Sequence, residues 1–259
     1  MSAAREAPAG YAVLERGATV AVGLEELAEP LREALRAGSL YAYAAAHPER
    51  RAMTGRGVAW AAPLPGGAAR VVVRRSRHGG LFARVTGERF AGRTRAPREL
   101  AAALRLAAAG IPTPPVVAYA TYRAGPLLRR ADVATREVEG ARDLAAALAD
   151  AMEAGDAARG AALAAAARLL DALAAAGVVH PDLNIKNVLL RAGAGGRLDA
   201  MVLDVDRVRF VGGPTARVRA RNLARLVRSL RKWERARAVP AGTIPESALG
   251  AAAPAPRGA

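Results

Sequence analysis

Three oxygen-bearing side chains set the chemistry open to this chain: Asp182, Asn187 and Asp204. The first two lie in the string His180-Pro181-Asp182-Leu183-Asn184-Ile185-Lys186-Asn187, and the third opens Asp204-Val205-Asp206. Between them run two apolar stretches, Val188-Leu189-Leu190, read as a strand, and Met201-Val202-Leu203, which delivers Asp204 at its end. A carboxylate at Asp182 can orient an acceptor hydroxyl and receive its proton. An amide at Asn187 and a carboxylate at Asp204, with Asp206 as a further candidate, can hold a metal that bridges phosphates. Lys186, inside the loop, is placed to neutralise charge on a transferring group. A plain polar turn would also use Asp and Asn, but it does not require the whole string together with a later acidic pair.

The pattern H-x-D-L-x-x-x-N followed by a strand is that of a protein-kinase catalytic loop, so phosphoryl transfer is the expected reaction. In such loops the imidazole packs beneath the site and bonds backbone, and His180 is accordingly read as structural. His47 and His78 have no metal-ligand spacing with each other or with a carboxylate pair, which argues against zinc. The chain has no cysteine, which excludes a thiolate nucleophile, a thiolate metal site and a disulfide framework. Residues 1 to 10 carry no basic stretch followed by an apolar core, so no secretory signal is expected. The most apolar region, Ala157 to Val179, is broken by Arg159, Arg168 and Asp171, as suits a buried helix better than a membrane span.

The net charge is +16, carried by arginine, with Lys186 and Lys232 as the only lysines. Such a balance favours anionic partners. No basic run is interleaved with stacking aromatics, and no nucleic acid is expected as a partner.

The organisation read from pattern is α+β. Residues 1–50 are loosely patterned and expected to be partly ordered. Residues 51–140 carry strands at Val58 to Ala61 and Arg70 to Arg74, a helix at Arg98 to Ala109 with Leu100, Leu104 and Ala107 as its apolar face, and strands at Val116 to Tyr119 and Thr135 to Val138. Residues 141–238 carry helices at Asp143 to Met152, Ala157 to Ala176 and Arg217 to Arg235, the last with Leu223, Leu226, Val227 and Leu230 on one side. Residues 239–259, rich in Pro, Ala and Gly, are expected to be disordered.

Over residues 50 to 235 the chain resembles the bacterial 3-deoxy-D-manno-octulosonic acid (Kdo) kinases of the lipopolysaccharide kinase family. The residues that carry the likeness are the loop from His180 to Asn187, the string Asp204-Val205-Asp206-Arg207, the turn Arg77-His78-Gly79-Gly80 and the helix Asn222-Leu223-Ala224-Arg225-Leu226-Val227-Arg228-Ser229-Leu230. The resemblance implies a protein-kinase-like two-lobed fold, with a small β-rich N-lobe and a mainly α-helical C-lobe. It implies ATP and Mg2+, and as acceptor a Kdo-containing lipid A precursor in lipopolysaccharide core biosynthesis. An enzyme of that kind would work as a peripheral protein on the cytoplasmic face of the inner membrane, against an anionic surface.

Within that frame Arg74 sits where a strand cation would hold the nucleotide phosphates, and Glu99 where a helix carboxylate would orient it. Arg75, adjacent and on the other strand face, is the competing choice. Gly55 and Gly57 resemble a shortened phosphate-covering turn, and Glu137 and Val138 the segment whose backbone would meet adenine. A kinase of another acceptor (heptose, aminoglycoside or choline) would share the catalytic loop. A basic pseudokinase that only binds a membrane or partner would be at odds with the intact Asp182, Asn187 and Asp204.

Overall fold

The computed structural model describes residues 7–53, 58–76, 90–92, 94–212, 216–240 and 242–250. Contacts divide the chain into two compact units, Met1–Ala103 with Pro114–Glu137 and Leu104–Thr113 with Val138–Ala259.

The first unit is built on an antiparallel sheet. Its strands are β1 (Tyr11–Arg16), β2 (Thr19–Leu24), β3 (Arg51–Met53), β4 (Ala59–Pro63), β5 (Arg70–Arg75), β6 (Phe90–Ala91), β7 (Val116–Arg123) and β8 (Leu128–Arg136), in the order β1-β2-β7-β8-β5-β4-β3 with β6 also on β8. Alternation decides what each face carries. Val71 and Val73 of β5 are 0% and 1% exposed and pack with Ala120 and Tyr122 of β7 and with Leu31, Leu35 and Leu40. Those leucines come from the helices α1 (Ala28–Ala34) and α2 (Leu40–Ala46) and the 3-10 turn between them. Each fully buried leucine contributes roughly 1.5–3 kcal/mol. Helix α2 starts at Ser39, whose Oγ accepts from the Ala42 N–H at 3.0 Å. Helix α1 approaches β2 so closely that a Cβ at Gly23 would collide with Leu31 Cδ1.

None of these N-terminal elements is visible as a pattern in residues 1–50. β1 and β2 are short and both faces are partly covered, so strict polar–apolar alternation is absent.

Helix α3 (Ala96–Ala108) follows β6. Its buried apolar positions are Ala96, Leu100, Ala103 and Leu106, whereas Ala107 is exposed and Leu104 only half-buried, so the apolar stripe lies rotated from the expected one. It ends where the Ile111 N–H donates to Leu106 O at 2.9 Å across Gly110, which takes φ +70°.

In the second unit, β9 (Arg142–Asp143) leads into α4 (Leu144–Ala154), capped by Asp143 Oδ1 accepting from the Ala146 N–H at 2.7 Å. Helix α5 (Asp156–Ala175) buries Leu163, Leu169, Leu170 and Leu173 together with Ala162, Ala165, Ala166 and Ala167. Small alanines let neighbouring elements approach on several sides, which explains why this helix looks apolar nearly all round. No helix among the described residues is long and apolar enough to cross a membrane. After β10 (Val178–Val179) come β11 (Val188–Ala192) and β12 (Leu198–Val202), which pair as an antiparallel hairpin, then β13 (Arg209–Phe210) on β10.

Helix α6 (Ala216–Ala236) buries Val218, Asn222, Leu226, Leu230, Trp233 and Glu234. The stripe is therefore centred one position before the expected one, and it includes two polar residues. Residues 242–250 are packed, not loose as expected from their composition. Ile244 and Leu249 are 0% and 1% exposed, and the Ile244 N–H donates to the buried Glu234 carboxylate at 3.2 Å. Two well-placed apolar side chains and one buried acceptor outweigh a Pro/Ala/Gly-rich composition here.

Candidate active site

The loop between β10 and β11 holds Asp182, Lys186 and Asn187, and its shape is imposed by side chains bonding to backbone. The Asn187 N–H donates to Asn184 O at 2.9 Å, and the Asn187 and Asn184 amides both donate Nδ2–H to Asp182 O at 2.9 Å. The Asn184 Oδ1 in turn accepts from the Lys186 N–H at 3.0 Å. With its Nδ2 bonded to Asp182 O, the Asn187 amide has its Oδ1 as the candidate ligand oxygen. Asp182 is partly buried and the Lys186 side chain is exposed.

Asp204 is brought to this loop by the hairpin. Val188 pairs with Val202, and the Leu203 N–H donates to Asn187 O at 2.9 Å, so the chain carrying Asp204 leaves the ladder directly beside Asn187. The segment after α3 pins the same strand end: Val202 N–H donates to Pro112 O at 2.9 Å and Thr113 Oγ1 donates to Val202 O at 2.8 Å. Asp204 itself takes φ 57°, ψ 54°, one of two non-glycine positive-φ residues among those described. A left-handed Asp costs on the order of 1 kcal/mol, a strain kept where its environment enforces it. Asp206 follows within the 3-10 turn Val205–Arg207 and is half-buried.

His180 joins these two segments. It is 0% exposed; its Nδ1 accepts from the Asp182 N–H at 3.2 Å, which leaves Nε2 as the protonated nitrogen, donating to Leu203 O at 2.9 Å. One ring thus ties the Asp182 loop to the residue preceding Asp204, in keeping with a structural reading of this histidine.

The residues that sequence reasoning missed are on α6. Asn222, 0% exposed, accepts from the His180 N–H at 3.0 Å and donates to Val178 O at 2.8 Å. Arg225 donates to Pro181 O, and Ser229 Oγ accepts from the Ile185 N–H at 3.3 Å. Positions 222, 225 and 229 follow helical spacing, so one edge of α6 grips the loop at three points. The signal was the presence of Asn and Ser on an otherwise apolar edge.

In the first unit, Arg74 Nη2 lies 2.6 Å from Glu99 Oε1, and the Glu99 side chain is 6% exposed against 33% for Arg74. A buried carboxylate needs such a partner. Arg75 points to the other sheet face, where its guanidinium lies 4.1 Å from the Tyr41 ring centroid. The Glu137 N–H donates to Arg70 O at 3.0 Å, and its carboxylate pairs with Arg51 and with Arg70 Nε at 2.8 Å. The first unit ends at Glu137 and the second resumes at Val138, whose carbonyl accepts from the Ala141 N–H at 3.3 Å. Gly55, Gly57 and the turn Arg77 to Gly80 lie outside the described residues.

Among the described residues no three His, Cys, Asp or Glu side chains form a metal-holding cluster. The oxygen donors at hand are the Asn187 amide and the Asp204 and Asp206 carboxylates. Such a small, hard set suits Mg2+, which keeps waters and takes further oxygens from substrate phosphates.

Comparison with known proteins places this arrangement. A profile described as the lipopolysaccharide kinase (Kdo/WaaP) family matches residues 51–241. The chain belongs to that family. As a member of a kinase family the protein is a phosphotransferase that uses ATP. It is 38% identical over 182 residues to the 3-deoxy-D-manno-octulosonic acid kinase of Xanthomonas oryzae pv. oryzae (strain PXO99A), which covers 69% of this chain and 68% of that one. A protein of the same description from Stenotrophomonas maltophilia (strain K279a) is 35% identical over 190 residues, covering 71% and 70%. A solved structure described as WaaP in complex with acyl carrier protein aligns with a TM-score of 0.46 at 23% identity, over 69% of this chain and 70% of that chain.

Proposed function

We propose that this Kdo/WaaP-family kinase transfers the terminal phosphoryl group of ATP to a hydroxyl of a Kdo sugar on a lipid A precursor, as a peripheral enzyme on the cytoplasmic face of the inner membrane. The observation that carries the reading is the loop whose backbone is fixed from Asp182 to Asn187 and joined, through His180 and Leu203, to Asp204. The identity to proteins described as Kdo kinases supports the choice of acceptor.

In this reading the sheet-based unit serves as the small lobe of a kinase-like fold and the helical unit as the large one. Asp182 orients the acceptor hydroxyl and takes its proton late in the transfer. Asn187 and Asp204, with Asp206 as a further oxygen donor, hold the magnesium, which when bound supplies charge neutralisation on the phosphate oxygens. Arg74 binds phosphate oxygens with its planar fork while Glu99 fixes its direction. Lys186, exposed in the loop, offsets negative charge on the group in transit. Val138 and Glu137 contribute backbone groups toward adenine, with the Glu137 carbonyl and the Val138 N–H as the members not used in the bonds above. Gly55 and Gly57 are proposed to cover the phosphates. Few side chains suffice, because transfer of this type is mostly positioning and charge stabilisation.

The test is mass spectrometry of purified Kdo-lipid A precursor after incubation with the protein, ATP and Mg2+. Gain of one phosphate on the Kdo residue is expected. Phosphate appearing only on a heptose-bearing or non-lipid acceptor would move the assignment to another substrate.

A further inference from the structure

The sheet face opposite the Arg74–Glu99 pair ends in a small basic pocket that the phosphotransfer reading does not use. Strand register puts its members together. Arg75 pairs with Asp132, Arg130 pairs with Tyr122, and Thr19 precedes the Val20–Thr121 pair, so all of these side chains fall on the face covered by α1 and α2. The pocket has a volume of about 230 Å³ and is lined by Thr19, Ser39, Arg75, Arg123, Arg130 and Asp132, among others. That is below the range of roughly 300–1,000 Å³ usual for whole small-molecule ligands, and it suits a single charged group.

Among the described residues that line it the charges are unbalanced. Asp132 is the acid among these, 3% exposed, and is bound by the Tyr41 N–H at 2.9 Å and by the Tyr122 and Ser39 hydroxyls. Against it, on the same face, stand Arg75 and Arg130. Arg75 is held flat on Tyr41, its guanidinium carbon 4.1 Å from the ring centroid, which fixes its direction. Arg130 is exposed near the turn of the β7–β8 hairpin, and Arg123, also exposed, closes β7 on the other face. Arg123 lies directly opposite Arg129, an unfavourable like-charge pair. Among the described residues Arg123, Arg129 and Arg130 make no ion pair, whereas Arg51, Arg70, Arg159, Arg219 and Arg231 all do. At the tip of the same hairpin Leu127 is 83% exposed, the most exposed large apolar side chain described. An apolar tip above a basic collar matches a surface whose outer layer is anionic and whose interior is hydrocarbon.

From this juxtaposition we infer that the β7–β8 hairpin is the membrane-docking element, with an anionic lipid phosphate held by Arg75 and Arg130 and Leu127 entering the acyl boundary. The inference rests on the reading that the acceptor is a membrane lipid, and it names the surface that meets it. It differs from a general attraction of the charged chain, because it requires one hairpin and both an apolar and a basic component.

The test is vesicle flotation of the full chain without nucleotide, on phosphatidylcholine vesicles with and without phosphatidylglycerol. Arg130→Ser should weaken binding to the anionic vesicles about fivefold, and Leu127→Ser about tenfold. Both side chains are exposed, so thermal midpoints should match wild type. Arg221→Ser and Arg228→Ser on α6 should change binding by less than twofold. Hairpin variants that bind as tightly as wild type overturn the inference while leaving the kinase reading intact. A wild-type chain that ignores both vesicle types overturns the membrane location itself. Inorganic phosphate should compete with vesicles only at millimolar concentration. Tight phosphate binding lost in Arg130→Ser, with vesicle binding unaltered, would assign the pocket to a soluble anion and overturn the lipid assignment.

Discussion

At the scale of single residues the site depends on where each proton and lone pair goes. Asp182→Asn should lower turnover by about two orders of magnitude or more while ATP binding persists, since the group proposed to accept the proton is lost but the loop's backbone bonds are not. Single-turnover kinetics beside nucleotide titration separate the two effects, and near-normal turnover would remove Asp182 from its role. Arg74→Ala should raise the ATP requirement. Arg74→Lys should keep part of the activity, because the charge survives and the fork does not. Asp132 gives a pH test. Burial raises its carboxyl above the ordinary 3.8, with the Tyr41 N–H, the Tyr122 hydroxyl, Arg75 and Ser39 opposing the shift. In the window just above that value the folded chain retains a proton that the unfolded chain has released. Stability contributed by this group therefore falls as pH rises through the window. Asp132→Asn should flatten that slope in denaturant titrations at stepped pH, and an unchanged slope would show that other groups set it.

At the scale of elements, helix α6 acts as a clamp on the catalytic loop. Asn222→Ala leaves the His180 N–H and Val178 O without their partner, at a cost of about 1–3 kcal/mol for each buried group. The expected outcome is a lower melting temperature and a kcat reduced more than the KM for ATP is raised, because the loop and not the nucleotide site loses its support. Ser229→Ala, which removes one bond to the Ile185 N–H, should show the same pattern in weaker form. An ATP KM that rises while kcat holds would assign α6 to nucleotide binding instead. Gly23 tests the other unit. Gly23→Val would drive a side chain into Leu31 and Ala118, and overpacking of this kind costs about 1–3 kcal/mol, readable as a shift in urea midpoint.

At the scale of the whole molecule, the charge of +16 should make attachment to anionic surfaces reversible and salt-sensitive. Sedimentation with anionic liposomes is expected to fall steeply between low and high salt, and binding that survives high salt unchanged would mean that charge is not what holds the chain there. The sequence by itself determined the order of the candidate groups in the loop, because eight consecutive residues from His180 to Asn187 need no long-range information to be placed in order. It also determined the β4–β5 hairpin and the long helices, whose periodicity is local. Tertiary structure alone decided the rest. Alternation shows that Arg74 and Arg75 face opposite ways, but only the packing of α3 shows which meets Glu99, 25 residues on. The first strands were illegible because both faces are partly covered. The burial of residues 242–250 was hidden by their composition. Asn222 lies 42 residues from the backbone it supports at His180, and nothing local to either segment reports the bond. Contacts closed over such separations depend on how whole elements pack, and a pattern read along the chain carries only the spacing within each one.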